Sequence, residues 1–192
     1  SASKDSSTFN LTVTNPPPGA VNDTFTAEFG TAITGDAAKN DSDPDGDALT
    51  FAKTTDPTRG SVVFNGNGTF AYTPAAGFSG TDTFTYTVTD ANGAKATASV
   101  SITVGNGLPT TTGIIAQQGV DSTAFTLETG PAFQDPNGDV LTFSAQGLPT
   151  GLTIDPATGR IRGTFGSSAS QGSPYSVTVS VADPIGGAAG TT

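Results

Sequence analysis

The sequence predicts an all-β chain folded as two tandem antiparallel β-sandwiches with Greek-key connections, and three observations carry that prediction. The first is composition: 34 threonines and 12 phenylalanines supply strand formers, while 25 glycines and 13 prolines join Asp and Asn in supplying turns. The second is a two-residue alternation of apolar and polar side chains over several stretches, with no helical period anywhere. The third is an internal repeat. Asp43-Pro44-Asp45-Gly46-Asp47-Ala48-Leu49-Thr50-Phe51 recurs as Asp135-Pro136-Asn137-Gly138-Asp139-Val140-Leu141-Thr142-Phe143. The copies stand 92 positions apart, which suits a seven-stranded sandwich.

The elements follow in chain order. Ser7–Thr14 alternates like a strand, with Phe9, Leu11 and Val13 on one face, and Asn15-Pro16-Pro17-Pro18-Gly19 ends it as a stiff linker. Residues 1–19 therefore read as the last strand of a preceding domain plus its linker. The first sandwich is expected over 20–104. Within it Val62–Phe64 and Thr69–Tyr72 flank Asn65-Gly66-Asn67-Gly68, a hairpin signal because Asn and Gly tolerate positive φ. In Asp82–Thr89 the residues Phe84, Tyr86 and Val88 share one face and threonines the other. After a turn at Ala91–Gly93, the residues Ala98, Val100, Ile102 and Val104 repeat the pattern. One-sided strands of this kind build sheets that pack face to face.

A short linker at 105–108 leads to a second sandwich over 109–192. There Leu141 and Phe143, Leu152 and Ile154, and Tyr175, Val177, Val179 and Val181 give the inward positions. The chain halts at Gly186–Thr192, where a final strand should begin, so this domain is expected to lack that strand. An edge left open would recruit a strand of matching pattern, and Ser7–Thr14 of another copy fits. Head-to-tail strand exchange between copies is thus expected, beside contacts with neighbouring repeat domains of the same protein.

Composition excludes several function classes. With no His and no Cys there is no Ser-His-Asp or Cys-His catalysis, no thiolate zinc site and no disulfide framework. Acidic residues number 17 against 7 basic, a formal charge of -10, and the basic residues are scattered, which argues against a nucleic-acid partner. No apolar run approaches the ~20 residues of a membrane span, so membrane insertion is not expected. The chain contains no Met and no signal peptide, and reads as a segment of a longer protein. Glu28 and Glu128 are the only glutamates, and nothing in the pattern sets them as a glycosidase pair. The chain has no Trp, and Tyr72, Tyr86 and Tyr175 fall on core phases, leaving no evident platform for sugar rings. No enzyme is expected.

The chemistry concentrates in the repeated loop. Asp41, Asp43, Asp45 and Asp47 stand at every second position, with Pro44 and Gly46 bending the chain between them. Carboxylates this close repel one another unless a counter-ion joins them, and dense hard oxygens suit Ca²⁺. Asp41-x-Asp43-x-Asp45-Gly46 matches the start of an EF-hand loop, but position twelve is Ala52 and the flanks are strands, so that motif is rejected. The remaining ligands must come from elsewhere in the fold. Asp90 ends the strand at Tyr86–Asp90 and Asp183 ends the one at Val179–Asp183, 47 and 48 positions after Asp43 and Asp135. Asn22 and Asp23, just after the proline linker, would enter at the same end. The expected metal ligands are Asn22, Asp23, Asp43, Asp45, Asp47 and Asp90 in the first domain, with Asp135, Asn137, Asp139 and Asp183 in the second. A single Asp-Pro-Asp-Gly-Asp loop reads equally as a plain Asx turn. Recurrence with a partner Asp at near-constant spacing favours calcium.

These residues carry a resemblance. Ala20-Val21-Asn22-Asp23, Asn40–Asp47, Asn67-Gly68-Thr69-Phe70-Ala71-Tyr72-Thr73-Pro74, Phe78–Tyr86 and Asp90-Ala91-Asn92-Gly93 resemble the bacterial cadherin-like repeats of giant surface adhesins, across 20–104. Asp135–Phe143, Gly147–Thr164 and Asp183 resemble a dystroglycan-type cadherin-like domain, across 109–192. The resemblance implies calcium-dependent tandem sandwiches in secreted or surface-anchored proteins, acting in adhesion or biofilm formation. A carbohydrate-binding accessory module of a secreted polysaccharide-degrading enzyme is the alternative. The linker Gly105-Asn106-Gly107-Leu108-Pro109 departs from the family by lacking the acidic run of animal cadherin junctions.

Overall fold

A computed structural model describes residues 8–186 and 188–191, with side chains over 8–186 and at Gly190. It is all-β: fifteen strands and three short 3-10 turns account for the regular structure of the described residues. The chain divides into two compact units. One holds the residues up to Phe25 with Ile33–Thr73 and Asp82–Ile102; the other holds Thr26–Ala32, Pro74–Thr81 and the chain from Thr103 onwards.

The first sandwich has a four-stranded sheet in the order β1 (Asp23–Ala27), β7 (Lys95–Val104), β6 (Gly80–Thr89), β3 (Thr50–Lys53). The facing sheet runs β2 (Ile33–Asp36), β5 (Thr69–Pro74), β4 (Gly60–Phe64). The strict alternation of β6 and β7 has a direct outcome. Phe84, Tyr86 and Val88 of β6 and Val100, Ile102 and Val104 of β7 are all buried, while the threonines and serines between them are not. Each such side chain removed from water contributes about 1.5–3 kcal/mol. Phe70 of β5 meets Phe84 edge-on at 5.5 Å, and Phe25 meets Phe70 at 5.0 Å. Gly35, paired with Phe70 across β2 and β5, makes room for those rings, because a Cβ there would fall 2.4 Å from Phe70 Cζ. The expected hairpin is present: between β4 and β5, Gly68 N–H donates to Asn65 O at 3.0 Å, and Asn67 Oδ1 accepts from Thr69 N at 3.2 Å.

The second sandwich is built from smaller sheets. β8 (Thr110–Thr111) pairs with β10 (Phe133–Gln134). β9 (Ala124–Glu128) edges a sheet with β13 (Arg160–Thr164) and β12 (Leu152–Ile154). β11 (Thr142–Gln146), β14 (Thr178–Ala182) and β15 (Ala188–Thr191) complete the fold. Phe133, Phe143, Leu152, Ile161, Val179 and Val181 form its core.

Three expectations meet a different outcome. The second sandwich does have a strand after Asp183: β15 pairs antiparallel with β14, Val181 opposite Ala189, so the edge expected to stand open is occupied. The sequence Ala-Ala-Gly-Thr gives no apolar alternation to announce it; β14 supplies the partner. Thr8–Thr14 carries no strand, and Phe9, Leu11 and Val13 are 85%, 78% and 85% exposed; Ser7 lies outside the described residues. Tyr175 is 38% exposed rather than in the core, since the residues around it turn before β14 begins, and its hydroxyl donates to Ala169 O at 3.0 Å.

Candidate metal centres

Both aspartate loops adopt one conformation. In the first, Asp43 Oδ1 accepts from the backbone amides of Asp45 and Asp47, each at 3.1 Å, and Gly46 takes a φ of +86°. In the second, Asp135 Oδ1 accepts from the amides of Asn137 at 3.0 Å and Asp139 at 3.1 Å, with Gly138 at +83°. A residue with a Cβ would be strained at either glycine, so the sequence Asp-Pro-Asp/Asn-Gly-Asp writes the turn. The bonds to Oδ1 aim the other carboxylate oxygen inward. Asp43 Oδ2 and Asp135 Oδ2 are buried and receive no hydrogen bond, and Asn137 Oδ1 is in the same condition.

Carboxylate oxygens gather at these points. One each from Asp43, Asp45 and Asp47 lie within 4.8 Å of one another, as do one each from Asp135, Asp139 and Asp183. Among the described residues the ion pairs are Lys53 with Asp56 and Arg160 with Glu128, both outside the loops. The hydrogen bond that Asp43 and Asp45 can share only by holding one proton between them lowers the pKa of Asp43 and raises that of Asp45. With both ionised, no donor reaches Asp43 Oδ2. Buried acceptors without donors beside clustered carboxylates are a poor design for a closed turn. They fit a hard cation with six to eight oxygen ligands, as Ca²⁺ takes.

The turn aspartates stand where the sequence puts them. Asp90 is 5% exposed; its Oδ1 accepts from Asn92 N and Ala94 N at 2.9 Å, and its Oδ2 accepts from Asn15 Nδ2 at 2.7 Å. Asp183 is 6% exposed; its Oδ1 accepts from Ile185 N and Gly186 N at 2.8 Å, and its Oδ2 from Asn106 Nδ2 at 2.9 Å. Asn15 and Asn106 are the residues that sequence reasoning missed. A signal existed: each precedes a proline-containing linker, and they stand 91 positions apart, nearly the offset of the loops.

The Asp23 carboxylate is not among those gathered with Asp43, Asp45 and Asp47; it and Asn22 meet the start of the loop region instead, at Asp41 through the Tyr86 hydroxyl and at Asn40. Asn22 Oδ1 accepts from Ser99 N at 2.9 Å. Asp23 opens β1 with its side chain turned inward, 8% exposed, where Tyr86 OH lies 3.0 Å from its Oδ2 and 2.9 Å from Asp41 Oδ2. Burial chiefly raises the Asp23 pKa, and burial followed by the bonds to Asp41 and Asp23 pushes the Tyr86 hydroxyl far up. Asp82 is buried, 3% exposed, with nothing in the sequence to mark it, and accepts from Thr58 N, Arg59 N and Tyr72 OH at 2.9 Å each. Its bonds tie the approach to β4 onto β6, a structural role. Glu128 is engaged by Arg160 across β9 and β13. The second unit also holds an open cleft of about 790 Å³, lined by Ile114, Phe125, Leu127, Leu152, Tyr175 and Val177.

Comparison with known proteins gives two family matches that together span most of the chain. Residues 15–103 match the model described as "Bacterial Ig domain", and residues 108–192 match "Putative Ig domain". No curated protein matches. Among solved structures, an endo-fucoidan hydrolase, MfFcnA4 of glycoside hydrolase family 107, is 25% identical with a TM-score of 0.39, over 93% of this chain and 29% of that one. Human CDH23 EC21-23 is 17% identical with a TM-score of 0.48, over 92% of this chain and 68% of that one. Protocadherin Gamma B7 is 15% identical with a TM-score of 0.43, over 91% of this chain and 49% of that one. The chain thus spans under a third of the fucoidan hydrolase. At these TM-scores the likenesses carry neither fold nor function over to this chain.

Proposed function

For a chain that is a tandem of bacterial Ig-like repeats, we propose the role of a non-catalytic, calcium-binding spacer in a bacterial surface protein, outside the cell, where it holds an adhesive region away from its anchor. The observation that carries this reading is the duplicated loop, with a buried and unpartnered oxygen at the same place in each copy, Asp43 Oδ2 and Asp135 Oδ2. Asp43, Asp45, Asp47 and Asp90 would hold the ion in the first sandwich; Asp135, Asn137, Asp139 and Asp183 would hold it in the second. Bound Ca²⁺ supplies positive charge that cancels carboxylate repulsion. Extracellular modules bind it at ~10⁻⁴ to 10⁻³ M, so these loops would fill outside cells and empty inside. Asn15 and Asn106 bond the turn aspartates from the incoming linkers, so a loop held by an ion would also hold the linker before it. Among the described residues no helix is long and apolar enough to cross a membrane, and the partners of this reading are neighbouring repeats.

Phe9, Leu11, Val13 and Asn15 stand 91 positions before Val100, Ile102, Val104 and Asn106. That match supports Thr8–Thr14 as the closing strand of a neighbouring repeat. It pairs there rather than at β14, where β15 already sits.

Small-angle scattering tests the spacer role. Millimolar Ca²⁺ should narrow the distribution of particle dimensions, and EDTA should broaden it. Identical curves would reject a calcium-stiffened spacer. A carbohydrate-binding module is the second reading, favoured by the half-exposed Tyr175, which lines the open cleft. Retention on a polysaccharide array, lost with Tyr175→Ala and indifferent to Ca²⁺, would select it.

A further inference from the structure

The two centres differ by the place of one amide. In the first, Asn92 Nδ2 donates to Asp47 Oδ2 at 2.5 Å and to Asn15 Oδ1 at 2.8 Å. In the second the same pair of bonds is made from another position: Asn137 Nδ2 donates to Asp139 Oδ2 at 2.8 Å and to Asn106 Oδ1 at 3.1 Å. Asn137 stands where the first loop has Asp45, and the counterpart of Asn92, two positions past the turn aspartate, is Ile185. The amide has moved from the turn into the loop, and a carboxylate has been lost in the exchange. Over matching positions the first loop and its turn carry four carboxylates, Asp43, Asp45, Asp47 and Asp90, of which Asp43, Asp45 and Asp47 gather within 4.8 Å. The second holds Asp135, Asp139 and Asp183, with the neutral oxygen Asn137 Oδ1 buried and free of donors.

Charge count sets what each loop gains from a cation. In the second, the Asn137 amide already places a hydrogen on Asp139, so less repulsion remains for an ion to relieve. In the first, the Asn92 amide serves the same purpose for Asp47, but Asp43 and Asp45 still face each other. We infer that the two centres are graded: the first sandwich takes Ca²⁺ first and more tightly, and the second fills at higher concentration, so the chain stiffens in two steps rather than one. This inference rests on the calcium reading above. Affinity in oxygen-ligand sites follows the number of charged ligands, and one carboxylate more should separate the two dissociation constants on the order of tenfold.

Isothermal titration of the whole chain with CaCl₂ tests it, with circular dichroism to verify that each variant folds. The wild type should show two classes of site. Asp45→Asn should weaken the tighter class on the order of tenfold, merging it with the weaker, and leave the other untouched. Asn137→Asp should tighten the weaker class by a similar factor and merge the two at the tight end. A single class in the wild type, or two classes that neither variant moves, would overturn the grading while leaving the calcium reading intact. No uptake of Ca²⁺ by any of the three would overturn both.

Discussion

Asp82 and Asp23 are both buried aspartates facing a tyrosine hydroxyl, and their surroundings set opposite consequences. Around Asp82 the neighbours are donors: the backbone amides of Thr58, Arg59 and Thr83, and the Tyr72 hydroxyl, whose own acidity is pushed far down, first by burial and then by that bond. Asp82→Ala should therefore cost about 2 kcal/mol in chemical denaturation, since it strands the Tyr72 hydroxyl in the core. A change near zero would mean that water replaces the carboxylate freely. Around Asp23 the Tyr86 hydroxyl and the Asn40 side chain are donors, but Asp41 and the carbonyls of Val21 and Ala37 crowd the same hydroxyl. Its folded pKa is raised from 3.8, mainly by burial. A raised carboxyl stabilises the fold below its unfolded pKa, and that contribution is lost as pH rises through the folded value. Asp23→Asn keeps an oxygen for Tyr86 and discards the charge. It should melt at or above the wild type at pH 7, with the gap closing toward pH 3, and it should leave Ca²⁺ binding unchanged. Weakened Ca²⁺ binding would return Asp23 to the ligand set.

At the scale of elements, alternation made β5, β6 and β7 legible because each has one face on a core and one on solvent. At Thr8–Thr14 the alternation is as clean, yet the segment forms no strand among the described residues. Periodicity reports a face that needs covering, not that it is covered. β15 was illegible for the converse reason: its pairing with β14 is tertiary, and no residue in Ala188–Thr191 is apolar and large. The loops were readable because Asp, Pro and Gly fix their own turn. Asn15 and Asn106 were not, because a lone Asn before a linker is common and only the offset between them marks it. The exposed face of Phe9, Leu11 and Val13 gives a prediction at this scale. Replacing all three by Ser should change the stability of the chain by no more than about 0.5 kcal/mol. It should also reduce self-association measured by analytical ultracentrifugation at high concentration. A loss of several kcal/mol would show that the segment packs within its own chain.

For the whole molecule, seven of the seventeen acidic residues stand in the two loops and their turn aspartates, where buried acceptors lack donors. Such a chain should be marginal without a cation and firm with one, which suits a spacer that works only where calcium is plentiful. Ligand binding to the native state alone stabilises by RT ln(1 + [L]/Kd), so about 10 mM Ca²⁺ acting on a dissociation constant of ~10⁻⁴ to 10⁻³ M adds about 1.4–2.7 kcal/mol per centre. For sandwiches of this size that is a rise in melting temperature on the order of 5–15 °C. Differential scanning calorimetry of the intact chain, in EDTA and in about 10 mM CaCl₂ at the same ionic strength, measures it directly. A rise of that size, abolished for the first sandwich by Asp45→Asn with Asp47→Asn and for the second by Asp139→Asn, is the result expected. Superimposable traces in EDTA and Ca²⁺ would contradict the calcium-binding account.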